Sequence, residues 1–373
     1  MRIVITGAQG LIGWHASVRL HAANSVARQK GDAEPYDILA LSRDDFENDL
    51  TLAAALAGSD AVLHFAGVNR GPDEIVETAN TVIAKRLVDV CNHIGVTPHI
   101  VYANSTHAGS ASPYGRSKHH AGKVLAQGPG IFTNLVFPHI FGECARPFYN
   151  NVTATLIDCI LNGKKPEINP EGIASLMHAG AAAQAAIDCA VSGIVGRVDP
   201  KSHPISVLEL YEVLKEFHNL YEANIYPDLS DPFVRNLFNT YRSATFPATW
   251  PRKLEIRSDE RGVLFEAVKG GGGGQTFLST TKPGIIRGNH FHLHKVERFL
   301  VIRGEAIIRI RKVLSEAVYE FRVTGNTPTP VDMPTLYTHS IENVGEGELV
   351  TLFWTHEPFD PNNPDTYFDK VLQ

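Results

Sequence analysis

The sequence predicts an α/β domain with a parallel sheet, followed by an all-β domain. Over roughly the first 190 residues, short apolar strands alternate with amphipathic helical stretches, a pattern typical of repeated β-α-β units. Beyond about residue 251 the helical periodicity stops, and short strands are separated by Gly, Asn and Pro. Evenly spaced short strands indicate a sandwich or a barrel.

The elements follow in chain order. Residues 3–6 predict the first strand and residues 11–23 the first helix. Further strands are predicted at 38–41, 61–65, 100–102, 299–301, 306–311 and 318–323, with helical stretches around 52–56 and 75–93. Phe246-Pro247 and Trp250-Pro251 end the helical pattern, so the predicted domains are residues 1–246 and 247–373. The run Gly270–Gly274 is expected to be a flexible loop.

Composition excludes several classes of protein. The 373 residues suffice for two or three domains, and 43% of them are hydrophobic, too many for a disordered chain. The 34 Lys and Arg against 40 Asp and Glu give a net charge of −6, which argues against binding to nucleic acid. The 4 Cys are scattered, so we expect free thiols in a reducing compartment.

No segment predicts export or a membrane span. The chain opens within a short apolar strand and lacks the longer apolar stretch of a signal peptide. No apolar run reaches the ~20 residues that a helix needs to cross a bilayer. We therefore expect a cytoplasmic protein without a membrane partner.

A glycine-rich turn joins the first strand to the first helix. Glycines let the backbone approach a pyrophosphate, and the helix N-terminus offers N–H groups that have no partner within the helix. This context favours a dinucleotide site over an ordinary turn. The cofactor-binding residues predicted here are Gly7, Gly10, Leu11, Ile12 and Gly13.

Arg43 bears on which dinucleotide binds. It follows the second strand, where a cofactor without a 2′-phosphate usually meets an acidic side chain. A cation there favours NADP over NAD. The alternative is that Arg43 is a solvated surface residue near Asp44 and Asp45.

Three polar residues predict carbonyl reduction. Tyr114 and Lys118 are four residues apart, which places them on one face of a helix, and Ser105 ends the strand that begins at Ile100. A carbonyl that accepts hydride must also gain a proton, which a phenol can donate. We expect the ammonium to lower the phenol's pKa and the hydroxyl to orient the carbonyl oxygen.

Residues 3–13, His64-Phe65-Ala66-Gly67 and 113–118 resemble the extended short-chain dehydrogenase/reductases that act on nucleotide sugars. The resemblance implies a Rossmann-type fold, catalytic Ser105, Tyr114 and Lys118, and Ala66 and Lys118 as further cofactor-binding residues. Thr106-His107 stands where dehydratases of the family carry an acidic pair, which favours plain ketoreduction. His139 replaces a usual Asn, and an acidic motif near residues 177–180 is missing.

The same resemblance predicts substrate-binding residues after the Phe141-Gly142 turn. There the family places groups that hold the diphosphate or the sugar, and an Arg fork matches phosphate oxygens. The predicted residues are Arg146, Tyr149 and Asn150. The alternative is a helix-start cluster in which Asn150 acts only as a cap.

The β domain carries residues typical of a metal site. His290 and His292 alternate onto one face of a strand, and Glu297 and His339 follow. Three imidazoles and one carboxylate suit Zn, Fe, Ni or Mn. The alternative is that these are surface residues in a chain with 17 His.

The spacing from Gly284 through His290, His292 and Glu297 to Gly304 resembles a cupin. A second cupin motif matches at Pro334, His339 and Asn343, although Leu336 replaces a usual Gly. The resemblance implies a barrel with a divalent ion, with Zn²⁺ expected, held by His290, His292, Glu297 and His339. The ion could be catalytic or structural.

Both domains in this order resemble bifunctional enzymes of capsular polysaccharide synthesis. The resemblance implies a UDP-2-acetamido-2,6-dideoxy-4-ketohexose substrate, C3 epimerisation in the cupin domain, and C4 reduction by NADPH in the first domain. The product would be a UDP-6-deoxy-talosamine-type sugar, and the assembly a homodimer. Two alternatives stay open: a single-activity reductase or 4-epimerase with a structural cupin, and a non-catalytic sugar-nucleotide sensor.

Overall fold

The computed structural model describes residues 1–373, and the chain divides into two compact units. The first unit comprises Met1–Thr155 and Pro170–Val207, and the second comprises Leu156–Asn169 and Leu208–Gln373. No helix combines the length and the apolar character needed to cross a membrane.

The first unit is built on a parallel sheet. Its strands, in chain order, are β1 (Arg2–Thr6), β2 (Asp37–Leu41), β3 (Ala61–His64), β4 (His99–Ser105), β5 (Phe132–Phe137), β6 (His139–Phe141), β7 (Ile173–His178), β8 (Gly196–Val198) and β9 (His203–Ser206). Six of them pair in the order β2-β1-β3-β4-β5-β8, all in parallel. β6, β7 and β9 form a separate small sheet.

Helices cover both faces of the six-stranded sheet. The α-helices of the whole chain, in order, are α1 (Leu11–Lys30), α2 (Arg43–Glu47), α3 (Asp49–Leu56), α4 (Asp73–Ile94), α5 (Pro113–Ala126), α6 (Val152–Leu161), α7 (Ala179–Ser192), α8 (Val207–Glu222) and α9 (Pro232–Thr245). α1 and α7 pack on the face that carries Ile3 and Ile5, whereas α3, α4 and α5 pack on the face that carries Val4. The two faces differ because strand side chains alternate from residue to residue.

The second unit contains antiparallel sheets. Its strands are β10 (Ile225–Tyr226), β11 (Ile256–Asp259), β12 (Gly262–Phe265), β13 (Lys269–Gly270), β14 (Gln275–Thr281), β15 (Ile286–Phe291), β16 (Glu297–Arg303), β17 (Glu305–Lys312), β18 (Val318–Thr324), β19 (Val331–Met333), β20 (Tyr337–Asn343), β21 (Leu349–Thr355) and β22 (Tyr367–Phe368). The main sheets have the orders β14-β21-β16-β19 and β18-β17-β20-β15-β22. The predicted fold class, a Rossmann-type α/β domain followed by an all-β cupin-like domain, is confirmed.

Helices α8 and α9 belong to the second unit, although both precede residue 247. The phenol of Tyr221 in α8 donates to Asp332, and Arg242 in α9 donates to the backbone oxygen of Met333. Residue 247, the predicted start of the second domain, therefore lies inside a compact unit, and the division into 1–246 and 247–373 stays a prediction. Gly270, assigned from sequence to a flexible loop, instead ends β13, which pairs with β10.

Candidate active site and metal centre

The glycine-rich turn leaves no room for larger residues beside the start of α1. Gly7 has φ +69°, and a Cβ built on it would lie 2.7 Å from the backbone nitrogen of Ala66. A Cβ on Gly13 would lie 2.3 Å from the Gly7 oxygen. Gly10 caps α1 without a side-chain hydrogen bond, so the first amides of the helix, Leu11 and Ile12 among them, face outward. The structure thus brings together the predicted cradle residues and Ala66, and their shape suits a dinucleotide pyrophosphate.

Arg43 begins α2 directly after β2. Ser42 caps this helix through the backbone nitrogen of Asp45. The Arg43 side chain is 77% exposed, and its only recorded charged neighbour is Glu47, 3.9 Å away. An exposed guanidinium at this position suits either a 2′-phosphate partner or a solvated residue.

Ser105 and Tyr114 are in contact, as predicted. Ser105 is the last residue of β4, and Tyr114 lies in the first turn of α5, where Ser112 caps the helix and Pro113 begins it. Burial raises the pKa of the Tyr114 phenol, and a hydrogen bond with the Ser105 side chain partly offsets that rise. The expected net lowering of the phenol's pKa is therefore wrong for this structure, because desolvation outweighs the stabilising neighbours.

Lys118 is buried on the same face of α5. Its Nζ donates to the backbone oxygen of Ala103 at 2.5 Å and lies 4.1 Å from the centre of the Tyr102 ring. Burial lowers the pKa of Lys118 to about 7. Tyr102 was not identified from sequence, where its place within an apolar strand suggested only a core role. Its ring contacts the Lys118 ammonium, and its hydroxyl is buried without a hydrogen-bond partner.

The three predicted substrate-binding residues, Arg146, Tyr149 and Asn150, lie on one exposed segment. The Arg70 guanidinium lies 5.8 Å from the centre of the Tyr149 ring, and the Asn150 amide donates to the backbone oxygen of Asn69 at 2.7 Å. The cap reading of Asn150 is wrong, because Asn151 accepts the backbone N–H of Ala154 at the start of α6. The proposed contacts of these residues with substrate stay a prediction.

The first unit also holds a buried cluster that the sequence did not reveal. His178 Nε2 lies 2.8 Å from a carboxylate oxygen of Glu143, and His15 Nε2 lies 3.8 Å from the same oxygen. Against the effect of burial, the two histidines lower the pKa of Glu143 to about 2. Burial lowers the pKa of His15 to about 3. No local spacing connects these positions, which belong to α1, the end of β7 and the segment after β6.

In the second unit, the four predicted metal ligands converge. One ligand atom from each of His290, His292, Glu297 and His339 lies within 4.8 Å of all the others. His292 Nε2 and His339 Nε2 lie 3.1 Å and 3.3 Å from the same Glu297 oxygen. His292, Glu297 and His339 are buried, and His290 is partly buried.

Strand pairing brings these ligands together. His290 on β15 is opposite His339 on β20, next to a register shift between Gly288 and His290. Gly288 has φ +92°, and a Cβ there would lie 2.7 Å from the His339 oxygen, so this close approach requires glycine. Leu336, which replaces the usual cupin Gly, adopts φ +65°. The turn before His339 therefore keeps the left-handed conformation despite the substitution.

Electrostatics within the cluster depend on Glu297. Burial would raise its pKa, but hydrogen bonds to His292 and His339 hold that pKa well below its usual value. Burial also acts to lower the pKa of His292, but the Glu297 carboxylate raises it overall. For His290 and His339 burial prevails, and the pKa is lowered. The site therefore presents an anionic carboxylate among imidazoles.

C3 epimerisation requires a side chain that removes the C3 proton, and three candidates for that base, His294, Tyr337 and Lys282, lie in different surroundings. His294 Nδ1 is 3.2 Å from Asp365. Tyr337 is buried, with its ring centre 5.2 Å from that of Phe246. Lys282 is exposed. The geometry assigns the base to none of them.

Comparisons with known proteins cover both units. Residues 3–187 match the NAD dependent epimerase/dehydratase family, and residues 257–367 match the polysaccharide biosynthesis C-terminal domain. A Pseudomonas aeruginosa protein named UDP-2-acetamido-2,6-beta-L-arabino-hexul-4-ose reductase is 30% identical over 382 residues, which cover 100% of this chain and 99% of that protein.

Two solved structures are also similar to this chain. The capsular polysaccharide assembling protein CapF from Staphylococcus aureus is 29% identical, with full coverage of both chains and a TM-score of 0.57. A UDP-N-acetylglucosamine 4-epimerase from Methanobrevibacter ruminantium M1 is 19% identical, covers 65% of this chain and 97% of its own, and has a TM-score of 0.51, which shows the fold alone. The resemblance to bifunctional capsular polysaccharide enzymes is confirmed.

Proposed function

Since this chain belongs to the UDP-2-acetamido-2,6-beta-L-arabino-hexul-4-ose reductase family, we propose that it acts on a UDP-2-acetamido-2,6-dideoxy-4-ketohexose. In this proposal the second unit epimerises C3, and the first unit reduces the C4 ketone with NADPH. The product is a UDP-6-deoxy-talosamine-type sugar for surface polysaccharide.

The reduction rests on one observation, the contact between Ser105 and Tyr114 on the face of α5 that also carries Lys118. NADPH supplies the hydride when it is bound. Ser105 orients the ketone oxygen, and Tyr114 donates its phenolic proton to that oxygen as C4 gains the hydride. The Lys118 ammonium stabilises the phenolate that remains until a solvent proton restores it.

Arg43 supports NADPH as the cofactor. Its exposed guanidinium stands at the end of β2, where a 2′-phosphate would find a planar pair of N–H donors. The cradle formed by the glycine turn and Ala66 accommodates the pyrophosphate of either dinucleotide, so Arg43 is the group on which the choice depends.

A divalent cation in the second unit is supported by the hydrogen bonds of its histidines. His292 Nδ1 lies 2.6 Å from the Asp365 backbone oxygen, and His339 Nδ1 lies 3.3 Å from the Tyr337 backbone oxygen. A carbonyl only accepts, so each Nδ1 carries a proton; each Nε2 donates to Glu297 when its ring is protonated and presents a lone pair when the ring is neutral. In the neutral rings, both lone pairs face an oxygen of Glu297. Three acceptors in contact suit a shared cation, and Zn²⁺ fits this donor set.

The chemistry of the substrate fixes the order of the two reactions. Removal of the C3 proton leaves an enolate spread over C3, C4 and the C4 oxygen, and reprotonation on the opposite face completes the epimerisation. A divalent ion in this cage supplies stabilisation of that negative charge. Reduction abolishes the carbonyl that makes the C3 proton acidic. Epimerisation therefore precedes reduction.

Two assays on the same preparation test the proposal. Loss of NADPH absorbance with the 4-keto sugar nucleotide reports reduction, and deuterium from solvent at C3 reports epimerisation. We expect Tyr114→Phe to slow NADPH oxidation by at least about 100-fold and to leave C3 exchange intact. We expect chelation of the ion to abolish C3 exchange. NADPH oxidation should continue when the chelated enzyme is given substrate that is already epimerised at C3.

Each contrary result has a defined meaning. Unchanged NADPH oxidation in Tyr114→Phe would overturn the reductase assignment. Exchange at C3 that survives complete removal of metal would make the ion structural, and no exchange in the metal-loaded enzyme would favour a single-activity reductase. C3 exchange in the already reduced sugar would contradict the order of the reactions. Absence of both activities would favour the sugar-nucleotide sensor.

The hairpin β11–β12 supports a homodimer. It pairs with no other strand, and Ile256, Val263 and Leu264 on it are 45%, 61% and 64% exposed. An isolated two-stranded hairpin is marginal in water, so we propose that a second copy of the chain covers it. Light scattering should give twice the mass of the 40.8 kDa chain, and Leu264→Glu should shift it toward the monomer. We place the enzyme in the cytoplasm, where NADPH and nucleotide sugars are supplied, without nucleic-acid or membrane partners.

A further inference from the structure

A segment near the end of the second unit contacts β15 and β20, two of the three strands that carry predicted ligands. This C-terminal strap, residues 364–371, includes β22, which pairs with β15 so that Phe368 is opposite His290. The backbone nitrogens of Asp369 and Val371 donate to the backbone and side-chain oxygens of Asn289, at 2.8 Å and 3.1 Å. On the other strand, β20, the hydroxyl of Thr338 donates to the Asp369 backbone oxygen.

Asp365 is the residue of the strap nearest to the ligands. Its carboxylate is buried, with Oδ1 accepting the backbone N–H of Leu293 at 3.0 Å and Oδ2 accepting those of His294 and Lys295 at 3.0 Å and 2.8 Å. It therefore holds the turn directly after His292. Lys295 forms a second hydrogen bond with the strap, from its Nζ to the backbone oxygen of Pro364 at 2.6 Å.

The backbone of Asp365 acts on the ligand itself. Its carbonyl oxygen lies 2.6 Å from His292 Nδ1 and so determines which ring nitrogen faces Glu297. Asp365 adopts φ +42°, a left-handed conformation that Asp and Asn adopt more readily than other residues with a side chain, and the surrounding hydrogen bonds hold it there. The side chain thus holds the backbone position from which the carbonyl orients the imidazole.

We propose that Asp365 is a positioning residue for the cation site, and that the strap sets the affinity of the site by fixing the His292 ring. The inference rests on the proposed cation in the second unit. Groups that orient a ligating imidazole typically contribute 10- to 100-fold to metal affinity. Local sequence motifs supply the four ligands, whereas their alignment depends on a residue 73 positions beyond His292.

The test measures Zn²⁺ affinity of the full chain by competition with a chelator. Asp365→Asn tolerates the left-handed backbone but turns an amide N–H₂ toward backbone donors, and we expect the dissociation constant to rise about 10- to 100-fold. Lys295→Met keeps the aliphatic stem and loses the ammonium, which donates to Pro364 and lies 5.9 Å from the centre of the Phe359 ring, so a smaller rise is expected. Asp360→Asn is the matched control, because Asp360 is exposed and its carboxylate accepts the nearby backbone N–H of Asn362.

Co²⁺ absorption separates positioning from general destabilisation. A rotated His292 ring changes the ligand field, so the Co²⁺ bands of Asp365→Asn should shift, whereas those of Asp360→Asn should match wild type. If Asp365→Asn does not fold, the Lys295→Met result decides. The inference would be overturned if Asp365→Asn, or Lys295→Met where it decides, had the Zn²⁺ affinity and the Co²⁺ bands of wild type. Failure of wild type to bind either ion would instead overturn the proposed cation site.

Discussion

The buried carboxylate of Asp332 allows a quantitative test of how α8 joins the β domain. Asp332 forms two hydrogen bonds with Arg298, from Nε at 2.6 Å and from Nη2 at 3.0 Å. The phenol of Tyr221 in α8 donates to the second carboxylate oxygen at 2.5 Å. All three side chains are fully buried. Tyr221→Phe removes one donor and keeps the aromatic ring.

A hydrogen bond to a buried charged group contributes about 1.5–3 kcal/mol. Arg298 still neutralises the carboxylate in the variant, so we expect Tyr221→Phe to lower the free energy of unfolding of the second unit by about 2 kcal/mol. Asp332→Asn should cost more, about 3–5 kcal/mol, because it leaves the Arg298 guanidinium buried without its anion. Tyr241→Phe is the matched control: its phenol contacts the His218 ring at 3.0 Å rather than a carboxylate, and a typical hydrogen bond contributes about 1 kcal/mol.

Urea denaturation followed by tryptophan fluorescence measures these values. The chain has 3 Trp, and in a Trp14→Phe background the remaining two, Trp250 and Trp354, both lie in the second unit. Their rings lie 6.3 Å from Tyr221 and 4.4 Å from Tyr226, respectively, so they report on this region. A loss in Tyr221→Phe no greater than that in Tyr241→Phe would refute the reasoning from charge and burial.

Three further predictions concern the domain boundary, pH and the cofactor. A fragment comprising residues 247–373 lacks the α8 and α9 partners of the β domain and should unfold at lower urea than the second unit of the full chain; equal midpoints would instead support the boundary at 247. Since burial lowers the pKa of His15 to about 3, the unfolded state alone gains a proton below pH 6.5. As the pH falls below 6.5, His15 should therefore lower the free energy of unfolding of the first unit by about 1.4 kcal/mol per pH unit, or about 2 kcal/mol by pH 5. The fluorescence of Trp14 reports this unfolding transition. His15→Gln should reduce the slope by this amount, whereas His64 of the same unit, whose pKa burial also lowers to about 3, should maintain a slope in the variant. A slope equal to that of wild type would exclude His15 as a source. Arg43→Ala should reduce the preference for NADPH over NADH in kcat/KM at least about 10-fold; an unchanged ratio would make Arg43 a solvated residue.

The sequence predicted best what local patterns determine. Ser105, Tyr114 and Lys118 were identified because a strand end and one helical face carry the chemistry within 14 residues. The four predicted metal ligands follow from recognisable spacings, although β15 and β20 meet only in the folded sheet. In both cases the residue types alone restrict the possible reactions.

What the sequence did not reveal depends on contacts between distant residues. Glu143 contacts His15 from 128 positions away, and nothing in the spacing of these residues predicts that both are buried together. The pKa of Tyr114 was misjudged for a related reason, because desolvation depends on every element packed around the phenol. The placement of α8 and α9 likewise follows from tertiary contacts, since helical periodicity does not say which sheet a helix covers.

Both candidate sites share one principle of construction. In each, recognisable residue types supply the predicted reacting or ligating groups, and a hydrogen bond holds one of them: Ser105 contacts Tyr114, and the carbonyl of Asp365 contacts His292. The residue types in a motif determine which reaction is possible, whereas the orienting group determines how strongly the site binds or reacts. If Asp365 positions His292 as proposed, relatives with identical predicted ligands should differ in metal affinity where their C-terminal straps differ. The sequence around Asp365 would then carry information about metal affinity that the pattern of His290, His292, Glu297 and His339 does not.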